Sequence, residues 1–169
     1  GSSRAKARRY VKTPSLVVFD MAGTTVEDGG QVPAAFAAAL AAHGVAVTAE
    51  QINRVRGASK RQAILQFVPP GPRQAGDAAV VYSAFRADLA RRFVAGGVRA
   101  IAGAADVFRH LRDQDIKVAL TTGFDRDTTT LLLSQLSWLE NTVDAIVCGD
   151  DVAQGRPAPD LIYRAMADT

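Results

Sequence analysis

Three short apolar segments, each followed by a polar loop and then a helix-forming stretch, constrain the fold of this chain most strongly. The first is Leu16–Asp20, which is rich in β-branched and aromatic residues and stops at an aspartate. The others cover residues 116–121 and 143–148, and helices are predicted around them over residues 104–112, 125–136 and 159–167. Strands that alternate with helices form parallel sheets, so we predict an α/β fold with a doubly wound parallel sheet.

Residues 31–97 interrupt this alternation, because their patterns are helical throughout. Four helices are predicted there: one over residues 32–43 with Pro33 in its first turn, one that starts at the Thr48-x-x-Gln51 capping box, a short one from Ser59 to about Val68, and a long one over residues 74–95. We therefore predict an all-helical cap at residues 31–97, inserted into a core formed by residues 14–30 and 98–169.

Composition narrows the class of protein further. Hydrophobic residues make up 48% of the 169 residues, which is enough for a packed core and argues against disorder. The single cysteine, Cys148, excludes an internal disulfide framework and, with no signal peptide in view, favours the reducing cytoplasm. No apolar run reaches the length of a membrane span, so we expect no membrane association.

The net charge of +3 comes from one end of the chain. Five basic residues and no acidic ones lie in the first twelve positions, and without those five the net charge is −2. We interpret residues 1–13 as a basic, solvated arm. Since no basic stripe with interleaved aromatic residues occurs elsewhere, we expect no nucleic-acid partner.

Chemically useful side chains follow each of the three predicted strands. Asp20 and Thr24 follow the first strand, Thr122 and Gly123 the second, and Arg156 the third. Because the carboxyl ends of parallel strands meet at one edge, these loops should lie together where open α/β sheets bind ligands. A carboxylate can attack or bind a metal ion, while a hydroxyl, a free N–H and a cation suit phosphate oxygens.

Each of these residues has a plainer interpretation when taken alone. Asp20 can be a turn former or a helix cap, Thr122 a helix cap, and Arg156 a surface residue. A carboxylate, a hydroxyl and a cation after three successive strands are a far more specific combination than any one of them.

Two stretches, Asp20-Met-Ala-Gly-Thr-Thr and Gly155-Arg-Pro-Ala-Pro, carry a family resemblance. From residue 14 to residue 169 the chain resembles the haloacid dehalogenase superfamily, and most of all its phosphonatase-like (phosphonoacetaldehyde hydrolase-related) members. The resemblance implies a Rossmann-like core, a cap of the helical C1 type, and a Mg²⁺-dependent hydrolase that works through an aspartyl-phosphate.

The resemblance also implies roles for single residues. Asp20 would be the nucleophile, and Asp20 and the backbone carbonyl of Ala22 would bind Mg²⁺. The phosphoryl oxygens of a small phosphorylated or phosphonate substrate would be held by the loops after the strands, through Thr24, Thr122, Gly123 and Arg156.

Ala22 stands where ordinary phosphatases of this superfamily carry a second aspartate as general acid and base. Phosphonatases also have alanine there, since their leaving group is a carbanion stabilised by a Schiff base on a cap lysine. Lys60, after the Arg56-Gly-Ala-Ser loop, resembles that lysine. The plainer interpretation of Lys60 is a solvated residue in the first turn of a helix.

Four positions depart from the phosphonatase pattern. Ala63 replaces a histidine, Phe124 a tyrosine, Gly30 a cysteine and Arg56 a methionine. These departures favour a relative with a different phosphonate or phosphate substrate, and Arg56 could hold a carboxylate of that substrate.

The superfamily's fourth motif, with one or two aspartates that complete the Mg²⁺ site, would lie roughly one strand beyond Thr169. We therefore expect a core that is truncated at its C-terminus, with the remaining metal ligands beyond Thr169. Two alternatives to the phosphonatase-like function stay open: a phosphomonoesterase of the phosphoglycolate phosphatase type, and a non-catalytic binding protein with the same fold. A homodimer formed through the cap is a further expectation.

Overall fold

The computed structural model describes residues 13–169, and the twelve residues before them, nearly all of the predicted basic arm, lie outside the described part. Strands and helices alternate as predicted around a helical insert. The elements are β1 (Leu16–Asp20), α1 (Gln31–Ala42), α2 (Ala49–Arg54), α3 (Lys60–Phe67), α4 (Gln74–Gly96), α5 (Ala104–Arg112), β2 (Lys117–Thr121), α6 (Arg126–Gln135), β3 (Ala145–Val147) and α7 (Asp160–Ala167).

The three strands form one parallel sheet in the order β1-β2-β3. Asp20, the last residue of β1, pairs with Thr121, and Thr121 pairs with Val147 at the end of β3. All three strands therefore end in line, and the loops that follow them leave from one edge of the sheet. The prediction of an α/β fold with a parallel sheet is confirmed.

Helices cover both faces of the sheet. On one face Val118 and Leu120 of β2 belong to one buried cluster with Phe108 of α5 and Leu132 of α6. On the other face Ala119 packs against Leu161 of α7. Burial on both sides explains why the strands are nearly continuous apolar runs rather than alternating ones.

Helices α1–α4 form the helical cap, defined as residues 31–97. Phe36 of α1 packs edge-to-face on Phe85 of α4, with ring centroids 5.8 Å apart, and both side chains are buried. The predicted capping box is present, with Thr48 and Gln51 each bonded to the other's backbone N–H. Ser59 is the residue before α3 as expected, but its side chain makes no capping hydrogen bond.

The third strand is shorter than the predicted span of residues 143–148. Its pairing ends at Val147, because the N–H of Cys148 donates to the Asp151 carboxylate at 2.7 Å instead of to a neighbouring strand. Cys148 and Trp138 are buried, as expected of core residues. Among the described helices, none combines the length and the hydropathy that crossing a bilayer requires.

Candidate active site

A cavity of about 220 Å³ lies at the carboxyl edge of the sheet, beneath the helical cap. Seven of the eight residues predicted from the sequence line it: Asp20, Ala22, Arg56, Lys60, Thr122, Gly123 and Arg156. We call this cavity the strand-end pocket. A larger cavity of about 630 Å³ lies elsewhere, beside Lys117 at the amino end of β2, and contains none of the predicted residues.

Asp20 and Arg156 meet in this pocket although 136 positions separate them. A terminal nitrogen of Arg156 donates to Asp20 Oδ1 at 2.6 Å, and about a third of each side chain is exposed. The Nε atom of Arg156 is buried and has no hydrogen-bond partner among the described residues. A buried donor without a partner is costly, and an anion bound in the pocket would satisfy it.

In the turn after β1, Thr24 and Thr25 lie in different environments. Gly23 has a φ of +82°, which glycine adopts easily, and the turn closes through a hydrogen bond from Gly23 N–H to Val26 O at 2.8 Å. Thr25 is buried and its hydroxyl donates to the carbonyl of Asp20 at 3.0 Å, so it supports the turn that presents Asp20. Thr24 is exposed and does not line the pocket, so its predicted contact with substrate is not brought about in this arrangement.

The second loop presents a hydroxyl group and a close contact with the cap. Thr122 is buried, and its hydroxyl oxygen accepts from Phe124 N–H at 3.2 Å, which leaves the hydroxyl hydrogen to donate. A Cβ atom on Gly123 would lie 2.8 Å from the carbonyl oxygen of Ala58 in the cap. Glycine at position 123 is therefore required by the approach of the cap loop, a reason that the sequence pattern did not reveal.

Lys60 enters the pocket from the cap and is buried, with 6% of its surface exposed. Its Nζ donates to the carbonyl oxygens of Arg56 at 2.5 Å and of Ala58 at 3.1 Å. Burial, helped by the positive charge of Arg156, lowers the pKa of Lys60 to about 8, although the carboxylate of Asp20 opposes this. The amine is therefore much easier to deprotonate than that of an ordinary lysine.

Asp28 is a pocket residue that the sequence analysis missed. Its carboxylate is 3% exposed and forms an ion pair with Arg56 at 2.6 Å, between the turn after β1 and the cap loop. The only sequence signal there was a turn around residues 27–30. Because Asp28 already neutralises Arg56, the guanidinium is not a free cation that waits for a substrate carboxylate.

Asp20, whose carboxylate can bind a hard cation, lines the pocket together with Ala22. Mg²⁺ characteristically binds through one or two carboxylates, with water and substrate phosphate filling the other positions. Within residues 13–169 no group of three or more His, Cys, Asp or Glu side chains could hold a metal ion.

A parallel sheet whose strand ends present a carboxylate, a hydroxyl and an arginine under a helical cap defines a class of hydrolase. The chain belongs to the haloacid dehalogenase-like hydrolase family, whose model matches residues 17–169.

Among known proteins, this chain is similar to phosphonoacetaldehyde hydrolase from Paraburkholderia xenovorans, with 31% identity over 94% of this chain and 64% of the relative. In structure it resembles a hydrolase from Pseudomonas syringae, with a TM-score of 0.80 and 25% identity over 92% of this chain and 70% of the other. A phosphonoacetaldehyde hydrolase like protein from Oleispira antarctica, 23% identical with a TM-score of 0.76, shares the fold over 98% of this chain and 65% of its own. The chain thus spans less than two thirds of the length of the curated relatives that it matches.

Proposed function

We propose that the protein is a Mg²⁺-dependent, phosphonatase-like hydrolase that transfers a phosphoryl group from a small phosphonate substrate to Asp20. The observation that carries the proposal is the pairing of two features in one pocket. Ala22 provides no acid for an alkoxide leaving group, and Lys60 provides a buried amine with a lowered pKa. Cleavage of a C–P bond needs an electron sink, which the amine of Lys60 can provide as an imine. It does not need an acid at position 22 to protonate an alkoxide.

The reaction that these residues support has three steps. The neutral amine of Lys60 condenses with a substrate aldehyde, takes up one proton from solvent and releases water, which gives an iminium ion. A carboxylate oxygen of Asp20 then attacks phosphorus, the C–P bond breaks, and its electron pair moves onto carbon to form an enamine on Lys60. Protonation of that carbon and hydrolysis of the imine and of the aspartyl-phosphate, each by one water, release aldehyde and phosphate.

The remaining pocket residues would hold the phosphoryl group during this transfer. Arg156 offers a buried Nε donor without a partner, and Thr122 offers its hydroxyl hydrogen. Preorganised donors of this kind stabilise the charge that develops on phosphoryl oxygens. Asp20 and the carbonyl of Ala22 would hold Mg²⁺, which supplies charge neutralisation beside the phosphoryl oxygens.

Chemical trapping on the full-length protein tests the proposal. The protein is incubated with phosphonoacetaldehyde and borohydride, and we expect a reduced adduct on Lys60, located by mass spectrometry of the digested protein. Lys117, an exposed lysine at the start of β2, serves as the internal control and should stay unmodified. Lys60→Met should lose both the adduct and C–P cleavage, and Asp20→Asn should keep the adduct but lose phosphate release.

One observation supports a second candidate, a phosphomonoesterase. Both hydrogen bonds of Lys60 go to carbonyl oxygens of its own loop, an arrangement that suits an ammonium ion acting as a fixed charge. Turnover of simple phosphate esters by Lys60→Met, without an adduct in the parent protein, would favour this function and overturn C–P cleavage.

A further inference from the structure

Two contacts between the helical cap and the core lie outside the strand-end pocket. We propose that these contacts, a steric one at Gly155 and a polar one at Asp125, set how closely the cap approaches the core and so where Lys60 stands in the pocket. That the position of Lys60 affects turnover rests on the proposed function. That the two contacts set the position of the cap does not. Residues that make these contacts are positioning residues for Lys60.

The steric contact involves Ser59, the neighbour of Lys60 at the start of α3. A Cβ atom on Gly155 would lie 2.8 Å from Ser59 Cβ, closer than side chains approach one another. The next atoms, Gln62 Oε1 and Ser59 Cα, would lie at an ordinary 3.7 Å. Gly155 has no positive φ, so its backbone would accept another residue. Glycine is needed there only because the cap comes so close.

The polar contact joins α4 of the cap to Asp125, the residue that directly precedes α6 of the core. The hydroxyl of Tyr82 donates to Asp125 Oδ2 at 2.5 Å, and Nε of Arg86 lies 2.7 Å from the same oxygen. Tyr82 and Asp125 are buried, with 7% and 8% of their surfaces exposed. Asp125 belongs to the loop that carries Thr122, so the cap is bonded directly to a loop that lines the pocket.

The two contacts act in opposite directions on the same movement. Contact at Gly155 limits how far the cap can close, because atoms at van der Waals distance repel on further approach. The hydrogen bond and ion pair at Asp125 oppose withdrawal, because moving the cap away separates a buried donor from a buried carboxylate. Neither Gly155 nor Tyr82 lines the pocket, so their effect on Lys60 is through the position of the cap.

The steric contact is tested with Gly155→Ala, alone and combined with Ser59→Gly, which removes the atom that the new methyl group would meet. Residual dipolar couplings of backbone amides in the full-length protein report the orientation of the cap relative to the core. We expect one alignment tensor to fit cap and core in the parent. Gly155→Ala should need two separate tensors, and the double variant should again need one.

One control variant and two overturning outcomes make this result decisive. Gly76→Ala adds a methyl group in α4 where nothing lies within 4 Å, and it should behave like the parent. Unchanged couplings in Gly155→Ala would overturn the steric contact. A change that Ser59→Gly does not reverse would place the effect in the core loop beside Arg156, and would also overturn it. If Gly155→Ala does not fold, recovery of folding in the double variant tests the same contact.

The polar contact is tested with Tyr82→Phe, which removes one hydroxyl and keeps the ring. We expect the cap couplings to fall in magnitude relative to those of the core, because the cap becomes more mobile. Tyr163→Phe, at an exposed position on α7, is the matched control and should change nothing. Couplings that match the parent in Tyr82→Phe would overturn the polar contact. These readouts need no turnover, so their outcome is independent of the trapping experiment on Lys60.

Discussion

Arg156 pairs with Asp20 in the strand-end pocket, and its buried Nε has no partner among the described residues. The proposed function assigns this Nε donor to a bound anion. We predict that Arg156→Ala weakens the binding of phosphate or vanadate by about 1.5–3 kcal/mol, the usual contribution of a hydrogen bond to a charged group. Isothermal titration calorimetry measures the change. Arg109→Ala, at an exposed position on α5, is the matched control and should bind as the parent does.

An affinity for phosphate that Arg156→Ala leaves unchanged would contradict this role. The arginine would then serve only as the counter-ion of Asp20, and the free Nε donor would have no ligand to explain it.

Lys60 links burial to the pH dependence of stability. Its pKa is about 8 in the folded chain and 10.5 in the unfolded one, so the unfolded state binds more protons between these values and stability rises with pH there. Below pH 8 both states are protonated and the cost of burying the charge is fully present. Relative to Lys60→Met, the parent should therefore gain about 3 kcal/mol between pH 7 and pH 10.5.

Urea unfolding of the parent and of Lys60→Met at several pH values measures this gain. The expected result is a difference in the free energy of unfolding that changes mainly between pH 8 and pH 10.5. A difference that stays constant over that range would mean that Lys60 is not held in a desolvated site.

Asp125 shows how one side chain can serve an element and an interface together. Its Oδ1 accepts from Thr128 N–H at 2.8 Å and so caps α6, while Oδ2 binds Tyr82 of the cap. Loss of the N-capping hydrogen bond of α6 costs about 1 kcal/mol, and loss of a buried charged hydrogen bond about 1.5–3 kcal/mol. We predict that Asp125→Ala lowers the free energy of unfolding by roughly 2.5–4 kcal/mol, the sum of these two contributions.

Chemical denaturation compares Asp125→Ala with two further variants. Asp125→Asn keeps a good capping residue and should lose less stability than Asp125→Ala. Asp127→Ala removes an exposed carboxylate from the same helix and should change stability little. Equal effects of Asp125→Ala and Asp127→Ala would contradict the double role.

For the molecule as a whole, the outer surface of the cap carries the prediction of a homodimer. Val80 and Val94 of α4 are 57% and 70% exposed, and a separation of fourteen residues puts them on the same side of the helix. We expect a dimer by sedimentation velocity, which the double variant Val80→Lys/Val94→Lys should convert to a monomer. Ile162→Lys changes an exposed apolar residue of α7, which lies outside the cap, and this variant should remain dimeric.

A parent chain that sediments as a monomer at all concentrations would contradict the dimer. A dimer that survives the α4 changes but is lost in Ile162→Lys would place the interface on the core instead of the cap.

Much of the architecture depends on preferences that act between residues close in sequence, and the sequence was sufficient to predict it. The strand Leu16–Asp20, the capping box at Thr48 and the helical insert follow from apolar periodicity and capping preferences that act within a few residues. The meeting of Asp20, Thr122 and Arg156 was also predictable, because parallel strands have their carboxyl ends at one edge.

Only the tertiary structure decided which partners these residues have. Asp28 with Arg56, and Tyr82 with Asp125, are pairs that lie 28 and 43 positions apart, and no local preference selects one distant charge over another. The lowered pKa of Lys60 depends on burial, and the need for glycine at position 155 depends on the approach of Ser59. Desolvation and steric contact arise only after the cap has packed on the core, so they cannot be predicted from local patterns along the chain.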